Sequence, residues 1–187
     1  MKVYVIRHGQ SETNAKGRWT GWLDVNLTEK GIEDAKKAGK IIQNVQFDKI
    51  YTSDLIRAIN TATAAIPNCN YEATHLLREI NVGDIADKPL DIITDEQREI
   101  FRQEGYQNIN GESNDDFYGR IKQFKAHLET LDCENVAVFS HAGWLRAMLD
   151  MVVGIRLPRK NIVCGNCAVG VFEYDGSDWK LYSWINL

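Results

Sequence analysis

Two short apolar segments in this chain stop abruptly at reactive side chains. Val3-Tyr4-Val5-Ile6 runs into Arg7-His8-Gly9, and Asn135-Val136-Ala137-Val138-Phe139 runs into Ser140-His141-Ala142-Gly143. Runs of this length and composition read as buried strands. An apolar helical pattern follows the second one at once, from His141 to Val153, with a stop at Gly154. The remainder alternates in the same way. Thr28 can cap a helix that carries Ile32, Ala35, Ala38, Gly39 and Ile42, to about Asn44. Lys49 to Thr52 predicts a strand, and Asp54 predicts the cap of a helix carrying Leu55, Ala58, Ile59, Ala62 and Ile66, stopped by Pro67. Tyr71 to Leu77 predicts a further strand. From about Val82 to Gly111 no period dominates, so loops are expected, with one short helix around Asp95 to Gln103. Asp115 opens a predicted helix to about Leu131, with Phe117, Ile121, Phe124 and Leu128 on one stripe. Val169 to Tyr174 and Lys180 to Ile185 flank Asp175-Gly176-Ser177-Asp178, a hairpin signal.

Strands and helices in this order predict an α/β fold: a three-layer α/β/α sandwich around a mostly parallel sheet with an antiparallel edge. With 187 residues and no linker or repeat, the chain reads as one domain, 1–187. Ligands bind such sheets beyond the carboxyl ends of the parallel strands, where the two reactive segments fall. The net charge of −4 offers no general attraction for nucleic acid or a membrane surface. No apolar run approaches the ~20 residues of a membrane span, and the first segment breaks at Arg7, too early for a signal peptide. A cytoplasmic protein is therefore expected. Cys164-Gly-Asn-Cys167 has redox or zinc spacing, but no second pair accompanies it, so buried or loop thiols are the expectation.

Arg7-His8-Gly9 is followed by Gln10-Ser11-Glu12-Thr13-Asn14, all polar. A buried strand that ends this way presents its polar residues to something. His8 could serve as a nucleophile or a proton carrier. Arg7 could pin an oxyanion with its planar fork.

Ile6 to Asn14 resembles the N-terminal signature of the histidine phosphatase superfamily, which includes the cofactor-dependent phosphoglycerate mutases. Gly17-Arg18-Trp19, Asp24, Leu27-Thr28 and Gly31 resemble the segment that follows in that family. Tyr51 to Ala58 is similar to a second block, Leu77-Arg78-Glu79 to a third, Gly111-Glu112-Ser113 to a fourth and Ser140-His141-Ala142-Gly143 to the last. The resemblance implies a phosphoglycerate mutase-like fold and a covalent phosphohistidine route with neither metal nor cofactor. It implies that Arg57 binds phosphate, that Glu79 donates the proton, and that His141 completes the phosphate pocket. In physical terms, a phosphate monoester carries nearly two negative charges at pH 7. Arg7, Arg57 and His141 would supply donors, with Asn14 and the Ala142 backbone N–H as neutral ones. A bound dianion beside Glu79 would favour its protonated form.

The expected activity is a phosphomonoester hydrolase acting on a small phosphorylated metabolite. The alternatives are a phosphoglycerate mutase and a non-catalytic binder of phosphorylated ligands. After the acidic residue the family's mutases carry Arg-His-Tyr-Gly, whereas this chain has Ile80-Asn81-Val82-Gly83. A mutase must also shield its phosphohistidine from water, and 187 residues leave little chain for such a lid. Residues 82–113 are expected to cover the substrate. His75 and His127 are expected to be structural or exposed, and Arg146 to form a structural pair. Arg18 could touch substrate or lie in a solvated loop, Ser11 and Thr13 cap a turn or contact phosphate, and Trp19, Trp22 and Trp144 wall the pocket or pack. Arg156, Arg159 and Lys160 form a basic run expected to be a solvated loop.

Overall fold

The computed structural model describes residues 1–158 and 161–187. Arg159 and Lys160 of the basic run lie outside the described residues. Side chains alternate across β4 (Asn135–Ser140), and that alternation builds two cores. Val136 and Val138 face one layer with Val3 and Val5 of β1 (Lys2–Arg7). There they meet Phe117, Ile121, Phe124 and Leu128 of α5 (Asn114–Glu129) and Trp144, Leu145 and Met148 of α6 (Ala142–Val153). Ala137 and Phe139 face the other layer with Ile6. Their partners are Ala35, Ala38 and Ile42 of α2 (Glu29–Ile42) and Ala62 of α3 (Ile56–Ala65).

The six strands add β2 (Lys49–Ser53), β3 (Glu72–Thr74), β5 (Val169–Tyr174) and β6 (Trp179–Ile185), in the order β3-β2-β4-β1-β5-β6. β1, β2, β3 and β4 run parallel, while β5 and β6 are antiparallel and form one edge. The three-layer arrangement is the one the sequence predicts. β1 and β4 lie side by side with Arg7 in register with Ser140. Both reactive segments therefore leave the sheet at adjacent points.

Three local expectations change. The helix after Ser53 takes Leu55 as its N-cap, without a side-chain cap bond. Asp54 instead accepts two bonds from Arg78, at 2.7 Å each, and the Ile56 N–H donates to Asp24 Oδ1 at 2.7 Å. The Tyr71 to Leu77 segment is a three-residue strand that turns into a 3-10 helix at His75–Leu77. α5 begins one residue early, capped by Ser113, whose Oγ accepts the Asp116 N–H. A short helix, α1 (Glu12–Ala15), has no counterpart in the sequence reading. Residues 83–109 form 3-10 turns around α4 (Asp95–Glu104), near the expected short helix. Among the described residues no helix is long and apolar enough to cross a membrane.

Candidate active site

A cavity of about 530 Å³ opens at the carboxyl ends of β1 and β4. Arg7, His8, Asn14, Arg57, Glu79 and Ala142 all line it. His141 stands behind that lining, its ring centroid 5.0 Å from that of His8. The structure thus gathers the residues singled out in the sequence around one point.

His8 follows β1 directly, and its N–H donates to the Ser140 carbonyl at 2.9 Å. The ring is held at both nitrogens. Nδ1 lies 2.7 Å from the Gly9 carbonyl, which can only accept, so Nδ1 carries the hydrogen. Arg57 Nε–H donates to Nε2 at 3.3 Å, so Nε2 carries the lone pair. Burial, with Arg57 and Arg7 adding repulsion, holds this imidazole well below its usual pKa. His8 is therefore a neutral imidazole with Nε2 beside the arginine.

Gly9 brings the turn after His8 hard against α2. A Cβ here would stand 2.3 Å from the Gly31 carbonyl oxygen, so no other residue fits without backbone movement. The Gly9 N–H donates to Thr61 Oγ1 at 3.0 Å, and that hydroxyl donates to the Arg57 carbonyl at 2.7 Å. The turn after His8 is thereby tied to the helix that carries Arg57. Arg57 itself is fully buried, donating to the Leu23 carbonyl at 2.7 Å and the Gly21 carbonyl at 2.8 Å. Burial lowers its pKa to about 10, which leaves it a cation at neutral pH. Arg7 donates to the Cys164 carbonyl at 2.6 Å. Its buried Nε has no partner among the described residues. Burial lowers the Arg7 pKa as well.

His141 is the N-cap residue of α6, so the first N–H groups of that helix point at the cavity. Its ring is completely buried, and neither nitrogen has a partner among the described residues. Burial, then the charge of Arg57, holds it well below its usual pKa. An unpartnered buried polar group costs roughly 1–3 kcal/mol, which an incoming oxyanion would offset.

Glu79 faces this pair from the side. Its Oε1 accepts the Ile80 N–H at 3.0 Å and its Oε2 accepts the Gly143 N–H at 3.0 Å. A Cβ on residue 143 would lie 2.1 Å from Oε1, so glycine is required for the carboxylate to sit there. The carbonyl of Glu79 accepts from Trp22 Nε1 at 2.7 Å. Arg120, absent from the sequence reading, holds the same segment. It donates to the carbonyls of His75, Leu76, Arg78 and Glu79 and pairs with Glu112 at 2.7 Å. Its partner Glu112 belongs to the Gly111-Glu112-Ser113 block, the one sequence signal that pointed here.

The secondary candidates sort themselves. Ser11 caps α1, accepting the Asn14 N–H, while Thr13 is bonded to Ser11 and Thr20. Arg18 pairs with Asp87 at 3.3 Å on the cavity rim. Trp19 lines the cavity, Trp22 carries Arg78 4.8 Å above its ring, and Trp144 is core, donating to the Leu76 carbonyl. Arg146 lines the cavity and donates to the Ile162 carbonyl at 3.2 Å; its expected acidic partner is not found among the described residues. His127 bonds Tyr51 at 3.0 Å and is not part of the cavity lining. Residues 82–106 supply the apolar wall, with Val82, Leu90, Ile93, Phe101 and Tyr106. The Cys164–Cys167 segment contributes the Cys164 carbonyl and the Asn166 amide rather than sulfur, and burial pushes the Cys167 thiol up to about 12.

Comparison with known proteins gives a consistent picture. The profile of the histidine phosphatase superfamily (branch 1) matches residues 3–187. A 2,3-bisphosphoglycerate-dependent phosphoglycerate mutase of Lactobacillus acidophilus is 55% identical over 67 residues, 35% of this chain and 29% of the mutase. The match thus spans less than a third of that relative. The adenosylcobalamin/alpha-ribazole phosphatase of Salmonella typhimurium is 31% identical over 158 residues, 80% of this chain and 78% of that protein. A crystal structure of phosphoglycerate mutase from Thermus thermophilus superposes with a TM-score of 0.80 and 25% identity, covering 100% of this chain and 99% of that one.

Proposed function

The chain belongs to the histidine phosphatase superfamily, branch 1, and from that premise we propose that it is a metal-independent phosphomonoester hydrolase acting on a small phosphorylated metabolite. The observation that carries the reading is the state of His8. Its Nδ1–H is committed to the Gly9 carbonyl, leaving Nε2 as the nucleophilic atom among cationic donors.

In the proposed reaction the phosphoryl group sits between His8 and His141, with Arg7, Arg57, Asn14 and the Ala142 N–H on its oxygens. His8 Nε2 forms a bond to phosphorus as the bond to the leaving oxygen breaks. Glu79, protonated for this step, gives its proton to that oxygen. Glu79 then takes a proton from water, whose oxygen attacks the phosphohistidine and frees phosphate. Phosphoryl transfer depends mainly on positioning and charge stabilisation, and two guanidiniums beside a helix N-terminus meet that need.

Hydrolysis is favoured over transfer by the wall next to Glu79. Ile80 and Val82 line the cavity there without charge, and its further cations, Arg18, Arg98, Arg102 and Arg146, come from other segments. The alpha-ribazole phosphatase relative, matched along most of its length, supports the same choice. The mutase reading draws on the 67-residue match to the Lactobacillus enzyme and on the full-length superposition with the Thermus thermophilus phosphoglycerate mutase structure. Phosphate release in excess EDTA, wild type beside His8→Ala, tests the proposal. Wild type should turn over an aryl phosphate and some metabolite phosphates, and the variant should lose at least about 10³-fold. Conversion of 3-phosphoglycerate to its 2-isomer with added bisphosphoglycerate, in place of phosphate release, would establish the mutase instead.

A further inference from the structure

Asn166 lies within the Cys164–Cys167 segment, and its amide reaches back into the site. Asn166 Nδ2 donates to the His8 carbonyl at 3.2 Å and to Asn14 Oδ1 at 3.3 Å. A backbone carbonyl can only accept, so the nitrogen end of the Asn166 amide must face these two oxygens. Asn14 Oδ1 also accepts the Ser11 N–H at 3.3 Å. Two donors on one oxygen settle which way the Asn14 amide is turned. Its Nδ2 then points away from both, has no partner among the described residues, and belongs to a side chain that lines the cavity with Arg7 and His8.

The local backbone is bent to achieve this. Cys167 has φ 59, a left-handed conformation unfavourable for a residue with a Cβ. Such conformations persist where the surroundings over-determine them. Here the Cys167 N–H donates to the His8 carbonyl at 3.3 Å, and the Ala168 N–H to the Gly165 carbonyl at 3.1 Å. The turn therefore brings two donors, one backbone and one side chain, onto the nucleophile's own carbonyl.

We propose that Asn166 is a positioning residue: by bridging the His8 carbonyl and Asn14 Oδ1 it turns the Asn14 amide N–H groups onto the phosphoryl oxygens. This rests on the phosphatase reading for the identity of the bound group. The competing explanation is a bond that merely braces the loop, which would lower stability without regard to Asn14.

Three variants decide between them: Asn166→Ala, Asn14→Ala and the pair combined. With an aryl phosphate, each single change is expected to lower kcat/KM on the order of 10-fold. The double variant should fall within about 3-fold of Asn14→Ala, because residues acting as a unit are non-additive. Losses that multiply overturn the proposal. Asn166→Asp keeps the shape but puts a carboxylate against two acceptors. Its activity relative to wild type should be lowest at neutral pH and recover as pH falls and the acid regains a donor; a flat ratio overturns the proposal, and this variant decides should Asn166→Ala not fold. Orthophosphate affinity by calorimetry repeats the cycle without turnover. If wild type hydrolyses nothing, the phosphatase reading falls. The positioning role is then judged by whether the two alanine changes weaken phosphate binding non-additively.

Discussion

In the proposed reaction His8 and Glu79 divide the chemistry according to what each can do with a proton. His8 is fixed as the Nδ1–H tautomer and needs no deprotonation before attack. Glu79 holds its carboxylate on two backbone N–H groups, at one wall of the cavity. Glu79→Gln keeps the size of the side chain, turns an amide NH2 toward one of those N–H groups, and removes the proton. Alkyl phosphates, whose leaving oxygen needs a proton, should lose about 10²–10⁴-fold in kcat. Aryl phosphates should lose far less; an equal loss on both, measured side by side by phosphate release, removes Glu79 from the acid role. At this scale the sequence was informative because its chemical residues follow strands or open a helix, as with Arg7, His8 and His141. Arg120 and Asn166 are not legible in the sequence for a physical reason. Each acts on carbonyl oxygens distant in the chain, and backbone acceptors leave no mark on the residue pattern. Asn166 stood inside a motif whose cysteines drew attention to sulfur, while the structure uses the amide between them.

Among the elements, the N-terminus of α6 does the most for the site. His141 ends the strand-to-helix turn, Ala142 lines the cavity, and Gly143 holds Glu79 by its N–H. Gly143→Ala should push the carboxylate off its position, since the new Cβ would stand 2.1 Å from Oε1. We expect a kinetic profile like that of Glu79→Gln, with alkyl phosphates hit hardest and the thermal midpoint shifted by only a few degrees. Parallel effects on alkyl and aryl substrates would contradict this. The strands of this layer were legible because buried parallel strands are nearly continuous apolar runs. The start of α3 was not. Asp54 is a good capping residue in isolation, but Arg78 takes both of its oxygens, and Asp24, far upstream, receives the Ile56 N–H instead. α1 has four residues, too few to show a helical period.

The whole molecule carries a net charge of −4 yet buries Arg57, His8 and His141 together. This has a cost that depends on pH. Both histidines have folded pKa values well below 6.5, whereas in the unfolded chain they titrate normally. Below pH 6.5 the unfolded state therefore binds more protons, and stability falls as pH drops. Above pH 6.5 both are neutral in either state and their contribution is flat. Each histidine adds up to ~1.4 kcal/mol per pH unit to the acid slope. Urea unfolding at about pH 7.5 and about pH 5.5, on either side of the free-histidine pKa, should show the loss, and it should shrink in His141→Asn; a pH-independent midpoint would refute the assignment. The bare ring nitrogens of His141 have a last consequence, for how the enzyme is handled. In the proposed reaction reactant and product both bring a tetrahedral oxyanion to this ring, so the site does not distinguish sharply between them. Inorganic phosphate should inhibit competitively, so progress curves should bend before substrate is spent. Phosphate buffers should mask activity, while orthovanadate at roughly 100 times its Kd should add about 2.7 kcal/mol of stability.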